Sequence, residues 1–257
     1  MIKKKIILSK KPLVCLTAYN KFSAEIIDDY CDIILVGDSM GMAYYGNDTT
    51  RSVKLDDIIK HGQSVRKGVK KSTLVVDMPF GTYKNKISAK KNALKIIKFT
   101  KCDAVKLEGG KEKSDIINYL VKNNINVMGH IGLLPQNYKN KKNFKILGKS
   151  KAEEQKVIED LKHVQKSGVF SIVLEGVKEN LATKIAQKSK VPIIGIGASK
   201  ECHGQILVLE DMLGIFQKVP KFVKKYENLN RLIRSAVKNY SLDVRKGKFP
   251  SKKNVYK

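Results

Sequence analysis

Short apolar segments alternate with longer amphipathic segments along most of the chain. The apolar segments are rich in Ile, Val and Leu and are bounded by Gly, Pro, Asp or Ser. A continuous apolar run of this length is typical of a strand that is buried on both faces, as in a parallel sheet. The predicted strands are Leu13–Ala18, Ile33–Val36, Thr73–Pro79, Ala104–Gly110, Asn126–Gly132, Ser171–Gly176, Pro192–Ala198 and Gln205–Leu209.

The amphipathic segments between these strands predict helices. In the clearest one, Ser150 and Glu153 form a capping box and Gly168 ends the helix. A second helix begins at Ser114 and a third at Ser88, and others cover about 54–67 and 179–190. The second helix is predicted to face inward with Ile116, Ile117, Leu120 and Val121, and the third is predicted to run through Ala93, Leu94 and Ile97.

This alternation predicts an α/β fold, a (β/α)8 TIM barrel formed by residues 1–257 as a single domain. A doubly wound open sheet is the alternative. The barrel is favoured because polar residues follow so many strands, and in a barrel all those strand ends meet on one face. After Pro220 the chain is polar and helical, with Leu229, Ile233 and Val237 at helical spacing, so about 221–257 is predicted to be a helical C-terminal extension.

Polar side chains at the predicted strand ends are the candidate functional residues. They are Asp38, Ser39, Asp77, Lys106, Glu108, His130 and Glu175. Carboxylates from four strands would repel one another at one barrel mouth, and a divalent cation would relieve that repulsion. Oxygen ligands without a Cys/His cluster favour Mg²⁺ over Zn²⁺. Each residue also has a structural alternative, such as a helix cap for Asp38 or a satisfied core histidine for His130.

Charge and cysteine usage narrow the class of protein. The net charge of +27 invites a nucleic-acid hypothesis, but the excess is nearly all Lys spread along the chain, so no nucleic-acid partner is predicted. The cysteines are scattered without a CxxC pair, and Cys15, Cys31 and Cys102 are predicted to be core residues. No segment is long and apolar enough for a membrane span or a signal peptide. A cytoplasmic protein is therefore expected.

The chain resembles the ketopantoate hydroxymethyltransferase family over nearly its whole length. The matching stretches, in order, are Leu16–Tyr19, Leu35–Met42, Gly46–Thr50, Asp77–Phe80, Val105–Gly110, Gly129–Leu133 with Pro135 and Gln136, Leu174–Glu175, Ile194–Ala198 with Gly204–Val208, and Gly247–Pro250. The resemblance implies a barrel enzyme that transfers a one-carbon unit from 5,10-methylenetetrahydrofolate to 3-methyl-2-oxobutanoate. It also implies a large homo-oligomer, a decamer of two stacked rings.

By position, the resemblance also implies residue roles. Asp38, Asp77 and Glu108 match the Mg²⁺ site, and Glu175 matches the catalytic base. The substrate contacts match Asp38, Ser39, Asp77, Lys106 and His130. The Met- and Tyr-rich loop after Asp38 is a candidate cover for the folate ring, although core contact is the expected role of Met40 and Met42.

Some positions depart from the family pattern. His203 stands where Asp is expected, Arg51-Ser52 where Leu-Pro is common, Ser199 where Gly is frequent and Leu134 where Thr is usual. None is a predicted metal ligand or the base, so loop geometry is affected more than the reaction. A Mg²⁺-dependent relative of phosphoenolpyruvate mutase or isocitrate lyase is the other enzyme considered, but its catalytic Cys or phosphate-binding site is not found.

Overall fold

The predicted strands form a closed, parallel eight-stranded barrel. The computed structural model describes Ile6, Ser9 and residues 11–256. The strands are β1 Leu13–Thr17, β2 Ile33–Val36, β3 Thr73–Asp77, β4 Ala104–Lys106, β5 Val127–Gly132, β6 Ser171–Glu175, β7 Ile193–Ile196 and β8 Gly204–Leu207. Each strand pairs with its neighbours in sequence order, and β8 closes on β1, with Leu13 opposite Gly204. The barrel is confirmed, and the open-sheet alternative is wrong.

Helices follow most of the strands, as the amphipathic pattern predicts. They are α1 Lys21–Ile27, α2 Met40–Ala43, α3 Leu55–Arg66, α4 Lys86–Thr100, α5 Ser114–Lys122, α6 Lys151–Lys166, α7 Glu179–Lys188, α8 Leu209–Met212 and α9 Leu229–Arg245. The basic segment that starts the chain, on which the absence of a signal peptide was predicted, lies largely outside the described residues.

Both faces of β2 to β7 are largely buried, which explains their continuous apolar runs, whereas β1 and β8 each leave one side chain exposed, Val14 and Gln205. In β2, Ile33 and Leu35 belong to the cluster of apolar side chains at the centre, while Ile34 and Val36 are equally buried. Side chains of a strand alternate between its two faces, so one set fills the barrel and the other is covered by helices. The same cluster includes Met128 of β5, Phe170 just before β6, and Ile206 of β8.

Two details of the predicted helices are wrong. One is the start of α4, in which Leu94 is 46% exposed and Ile96 is fully buried. The helix begins earlier than predicted, with Asn85 as its cap, and its buried face follows Ala89, Ala93 and Ile96. In α6, Ser150 accepts the N–H of Glu153 as predicted, but the Glu153 carboxylate accepts the N–H of Lys149 rather than that of the cap.

All four cysteines are buried and free, so the prediction of core cysteines is confirmed. The chain forms two compact units, Met1–Val208 and Leu209–Lys257. The second unit contains α8 and α9. Leu229–Arg245 is helical as predicted, and Ile233 and Val237 on it are about half exposed, at 48% and 60%. Within the described part of the chain, no helix is long and apolar enough to cross a membrane.

A buried carboxylate links the end of α1 to the start of β3. Asp28 accepts backbone N–H groups from Lys70 (2.7 Å), Lys71 (2.9 Å) and Ser72 (2.9 Å). Burial raises the pKa of Asp28, but these N–H donors outweigh burial and hold the pKa below its ordinary value of 3.8. The side chain therefore stabilises the loop that leads into β3.

We predict that Asp28→Ala lowers the free energy of unfolding at neutral pH by roughly 3 kcal/mol, because buried N–H donors lose a charged acceptor. A carboxylate whose pKa is lowered by folding contributes its full stabilisation at pH values above its pKa in the unfolded chain. That stabilisation is lost as the pH falls through its pKa in the folded protein. The difference from wild type should therefore shrink below about pH 4. Urea denaturation measures it, with the exposed neighbour substitution Asp29→Ala as the control. A loss that is independent of pH, or equal in the control, would contradict this role.

Candidate active site

The barrel brings the seven predicted polar residues to one end. Asp38 and Ser39 follow β2, and Asp77 ends β3. Lys106 ends β4 with Glu108 just beyond it, His130 lies in β5, and Glu175 ends β6. Because all the strands are parallel, these carboxyl ends form one mouth. Asp38, Asp77, Lys106, Glu108 and His130 are at most 5% exposed.

Lys106 and Asp77 form a buried ion pair across adjacent strands. They are register partners of β3 and β4, and the Lys106 Nζ lies 2.7 Å from Asp77 Oδ1. Counting the side-chain atoms alone, 6% of Lys106 and 3% of Asp77 are exposed, so the pair is almost fully buried. Burial lowers the pKa of Lys106, but Asp77, Glu108 and Asp38 outweigh burial, so its pKa lies above the ordinary value. Lys106 is therefore a cation within a group of carboxylates.

The turn after β2 depends on a close approach of the backbone to Asp77. The backbone N–H of Asp38 donates to Asp77 Oδ2 at 3.0 Å. A Cβ at Gly37 would lie 2.8 Å from Ser39 Oγ, so only glycine fits there without movement. The cap of α2 is Ser39, which makes no side-chain capping bond, and the Asp38 carboxylate accepts a hydrogen bond from Gln136 instead. The capping alternative for Asp38 is thus not what the structure shows.

Gln136 joins two buried carboxylates. Its Nε2 donates to Asp38 Oδ2 at 2.8 Å, and its backbone N–H donates to Glu108 Oε2 at 3.0 Å. Burial, reinforced by Asp77, raises the pKa of Asp38 to about 7. Burial, reinforced by Asp38, raises the pKa of Glu108 well above its ordinary value. Two carboxylates so placed resist holding two negative charges together.

His130 lies between Glu108 and Glu175. Its Nδ1 is 3.7 Å from Glu108 Oε1, and its Nε2 is 3.4 Å from Glu175 Oε2. Neither ring nitrogen completes a hydrogen bond to another described residue, although the ring is buried. Burial lowers the pKa of His130, so the ring is neutral near pH 7. The alternative of a satisfied core histidine does not hold.

Three further residues of this mouth were not predicted. Gln136 and Tyr19 lay within the family-like stretches, but nothing in their spacing indicated a role. Tyr19 is buried, and its hydroxyl lies 2.8 Å from Ser39 Oγ. The Tyr83 hydroxyl donates to Gln136 Oε1, and no pattern in the sequence pointed to Tyr83.

The structure also shows contacts for three of the residues that depart from the family pattern: Arg51, His203 and Ser199. The Arg51 guanidinium stacks 3.8 Å from the centre of the Phe80 ring and donates to the Gln136 carbonyl at 3.3 Å. His203 Nδ1 accepts the N–H of Ile193 at 3.1 Å. Ser199 Oγ lies 2.8 Å from Thr183 Oγ1. Nothing in the structure explains Leu134.

The donor set fits a divalent cation held by few protein ligands. Asp38 and Glu108 are hard oxygen donors with raised pKa values, and a cation would offset their repulsion. Asp77 already uses one oxygen for Lys106 and the other for the Asp38 N–H. Within residues 11–256 and the two described positions before them, no three His, Cys, Asp or Glu side chains are placed to hold a metal together. Asp77 as a ligand stays a prediction.

The closed barrel and the charged side chains at its mouth define an enzyme of the (β/α)8-barrel class. A model of the family described as "Ketopantoate hydroxymethyltransferase" matches residues 3–252. The chain belongs to this family.

Relatives of similar length share about half of the sequence. The 3-methyl-2-oxobutanoate hydroxymethyltransferase of Pelagibacter ubique is 50% identical over 255 residues, which cover 99% of this chain and 97% of the relative. The protein of the same name from Bartonella tribocorum is 48% identical over 249 residues, 96% of this chain and 92% of the relative.

Similar solved structures are more distant in sequence. A phosphonopyruvate hydrolase complex with oxalate and Mg²⁺ has a TM-score of 0.64 at 11% identity and covers 98% of this chain and 92% of its own. A 2,3-dimethylmalate lyase of the PEP mutase/isocitrate lyase superfamily has a TM-score of 0.62 at 11% identity, covering 96% and 84%. At this identity the likeness shows the fold alone.

We predict that Lys106→Met lowers the free energy of unfolding by about 3–5 kcal/mol, because it leaves a buried carboxylate without its partner. Chemical denaturation measures the loss. Lys71→Met is the matched control: it removes an exposed pair with Asp29, whose side chains are 71% and 60% exposed, and should change stability little.

Adding Asp77→Asn to Lys106→Met removes the orphaned charge and should recover part of that loss. If the two substitutions simply add their losses, the two side chains are not coupled in stability.

Proposed function

We propose that this chain transfers a hydroxymethyl group from 5,10-methylenetetrahydrofolate to 3-methyl-2-oxobutanoate, with Mg²⁺ as its cofactor. The donated carbon is a methylene, and water supplies its hydroxyl oxygen, so the products are 2-dehydropantoate and tetrahydrofolate. The pathway is pantothenate and coenzyme A biosynthesis. One observation carries the proposal. In a chain of this family, two buried carboxylates joined by Gln136 lie beside a buried ammonium, with a more exposed carboxylate, Glu175, nearby.

The proposed metal ligands are Asp38 and Glu108, with Asp77 as the third residue of the site. Mg²⁺ commonly binds one or two protein carboxylates and completes its shell with substrate and water oxygens. Such a shell suits a site in which Asp77 already serves Lys106 and the turn after β2. When bound, Mg²⁺ supplies Lewis acidity toward the keto oxygen of a 2-oxo acid, which makes the hydrogen on C3 more acidic.

Lys106, His130 and Ser39 are proposed to orient the oxo acid, together with Asp38 and Asp77. Lys106 compensates the negative charge that develops on the substrate once C3 loses its proton, and its buried position strengthens that effect. The neutral His130 ring has nitrogens available to the substrate in a dry environment. The Tyr19 hydroxyl holds Ser39 in place.

Glu175 is the proposed base that takes the C3 proton. Its side chain is 15% exposed, compared with 4% for Glu108, so it faces the opening of the mouth. It has no place in the Gln136 network that joins Asp38 and Glu108, and it lies beside His130. A carboxylate outside the metal-binding pair keeps a lone pair for proton transfer.

The loop after β2 is proposed to cover the folate. Met40 is fully buried, so its expected core role is confirmed, whereas Met42 is only partly buried. Tyr44 and Tyr45 are 45% and 50% exposed, and both pack edge-on against His61. Half-exposed aromatic rings of this kind are suited to stacking on a pterin ring.

We also propose a cytoplasmic location and a homo-oligomeric assembly, with no nucleic-acid partner. Four buried cysteines without a disulfide suit a reducing compartment. The assembly rests on the family resemblance.

The direct test is an assay of the full-length chain with the oxo acid and methylenetetrahydrofolate. We expect 2-dehydropantoate with Mg²⁺, its loss after chelation and its return when Mg²⁺ is added, because the carboxylate pair needs a cation to bind the oxo acid. Mass spectrometry identifies the product. Absence of product in the presence of Mg²⁺ would refute the proposed reaction.

Glu175→Gln tests the base separately. The isosteric amide should bind Mg²⁺ and the oxo acid nearly as wild type does, but it cannot accept the C3 proton. Exchange of that hydrogen in D₂O, followed by NMR without folate, should slow by about 100-fold or more. The control is Glu179→Gln on the exposed start of α7. Exchange at the wild-type rate in Glu175→Gln would place the base elsewhere.

A further inference from the structure

Gln136 is buried where two long loops meet the carboxylates of Asp38 and Glu108. These are the loop after β2, residues 37–54, which contains the short α2, and the loop after β5, residues 133–150. It lies in the 3₁₀ turn Pro135–Asn137 after β5 and is 2% exposed. Buried amides need partners for their donors and acceptor, and each missing partner is costly. The partners of this amide show what the residue does.

Every hydrogen-bonding group of the Gln136 side chain is used. Nε2 donates to Asp38 Oδ2 at 2.8 Å and to the Met78 carbonyl at 3.1 Å, and Oε1 accepts from the Tyr83 hydroxyl. A flipped amide would turn its oxygen toward the oxygens of Asp38 and Met78. The network therefore fixes the amide orientation, and with it the Asp38 carboxylate.

The backbone of the same residue holds the second carboxylate. The Gln136 N–H donates to Glu108 Oε2 at 3.0 Å, so a single residue bonds to both members of the pair. A neutral donor is suited to this position, because it binds both carboxylates without replacing the cation that they would share.

The loop after β2 fixes the position of Gln136. Arg51 donates to the Gln136 carbonyl while it stacks on Phe80. Two more hydrogen bonds join the same loops, from Thr49 Oγ1 to the Tyr138 carbonyl at 2.8 Å and from the Lys141 N–H to the Asp48 carbonyl at 3.0 Å. The loop after β5 is thus tied to the loop that carries Asp38.

We propose that Gln136 is a positioning residue for the reaction: it holds Asp38 and Glu108 as one ligand pair, with Tyr83 orienting its amide and Arg51 anchoring its backbone. The inference rests on the proposed function, because it assigns that pair to a divalent cation. Groups that orient metal ligands typically change metal affinity by about 10- to 100-fold when they are removed.

Gln136→Met tests the inference, because methionine keeps the side-chain length and removes its hydrogen bonds. Mn²⁺ binding to the metal-free full-length chain is measured by electron paramagnetic resonance and calorimetry. We expect a 10- to 100-fold weaker affinity in the variant. We also expect kcat to fall more than the KM for folate changes, since the folate contacts remain. The control is Asn137→Met, an exposed neighbour in the same turn.

Tyr83→Phe is the second variant, because it removes only the hydroxyl that orients the amide. It should weaken Mn²⁺ binding less than Gln136→Met does, and because it leaves the amide oxygen without its partner, it should lower the melting temperature of the metal-free chain by only a few degrees. If Gln136→Met does not fold, Tyr83→Phe decides the question. Wild-type Mn²⁺ affinity in the folded variants overturns the inference. Failure of the wild-type chain to bind Mn²⁺ overturns the proposed metal role, and the inference with it.

Discussion

The ion pair between Lys106 and Asp77 is the interaction on which the rest of this site depends. It places one buried cation among carboxylates from neighbouring strands. Asp77 then has one oxygen left, and that oxygen receives the N–H of Asp38 and shapes the turn after β2. The pair therefore sets both the charge balance of the barrel mouth and the path of the chain that carries Asp38.

Burial shifts the pKa values of the charged groups in the mouth in opposite directions, up for the carboxylates and down for Lys106. It raises the pKa values of Asp38 and Glu108, whereas Lys106 stays charged because the carboxylates around it outweigh its desolvation. The result is a pair of carboxylates that favours a nearby cation or a bound proton, next to a buried ammonium. Such preorganisation suits an enzyme that must stabilise negative charge on an oxo acid.

The two long loops have a structural role in the site. Their mutual hydrogen bonds place Gln136 between Asp38 and Glu108, and Arg51, which departs from the family pattern, contributes one of those bonds. Loops carry function most reliably when a rigid scaffold positions them. Here the ends of β2 and β4 position the backbone of Asp38 and Glu108, and Gln136 in the loop after β5 donates to their carboxylates.

The order of strands and helices, and most of the candidate residues, followed from the sequence by itself. Strands such as Ile33–Val36 could be predicted because burial on both faces requires an unbroken apolar run. Candidate site residues such as Asp77 and Glu175 could be predicted because parallel strands bring the polar residues at their carboxyl ends together.

The tertiary structure decided what depends on contacts between distant segments. The inward face of α4 runs through Ile96 rather than Leu94, because packing on the barrel sets the helix rotation. Gln136 lies 98 residues from Asp38 in sequence, and its amide carries no local pattern, so only the folded chain shows that it joins the carboxylates. The pairing of Asp77 with Lys106 depends likewise on strand register, which the sequence does not mark here because β3 and β4 are buried on both faces and show no alternation of apolar and polar residues.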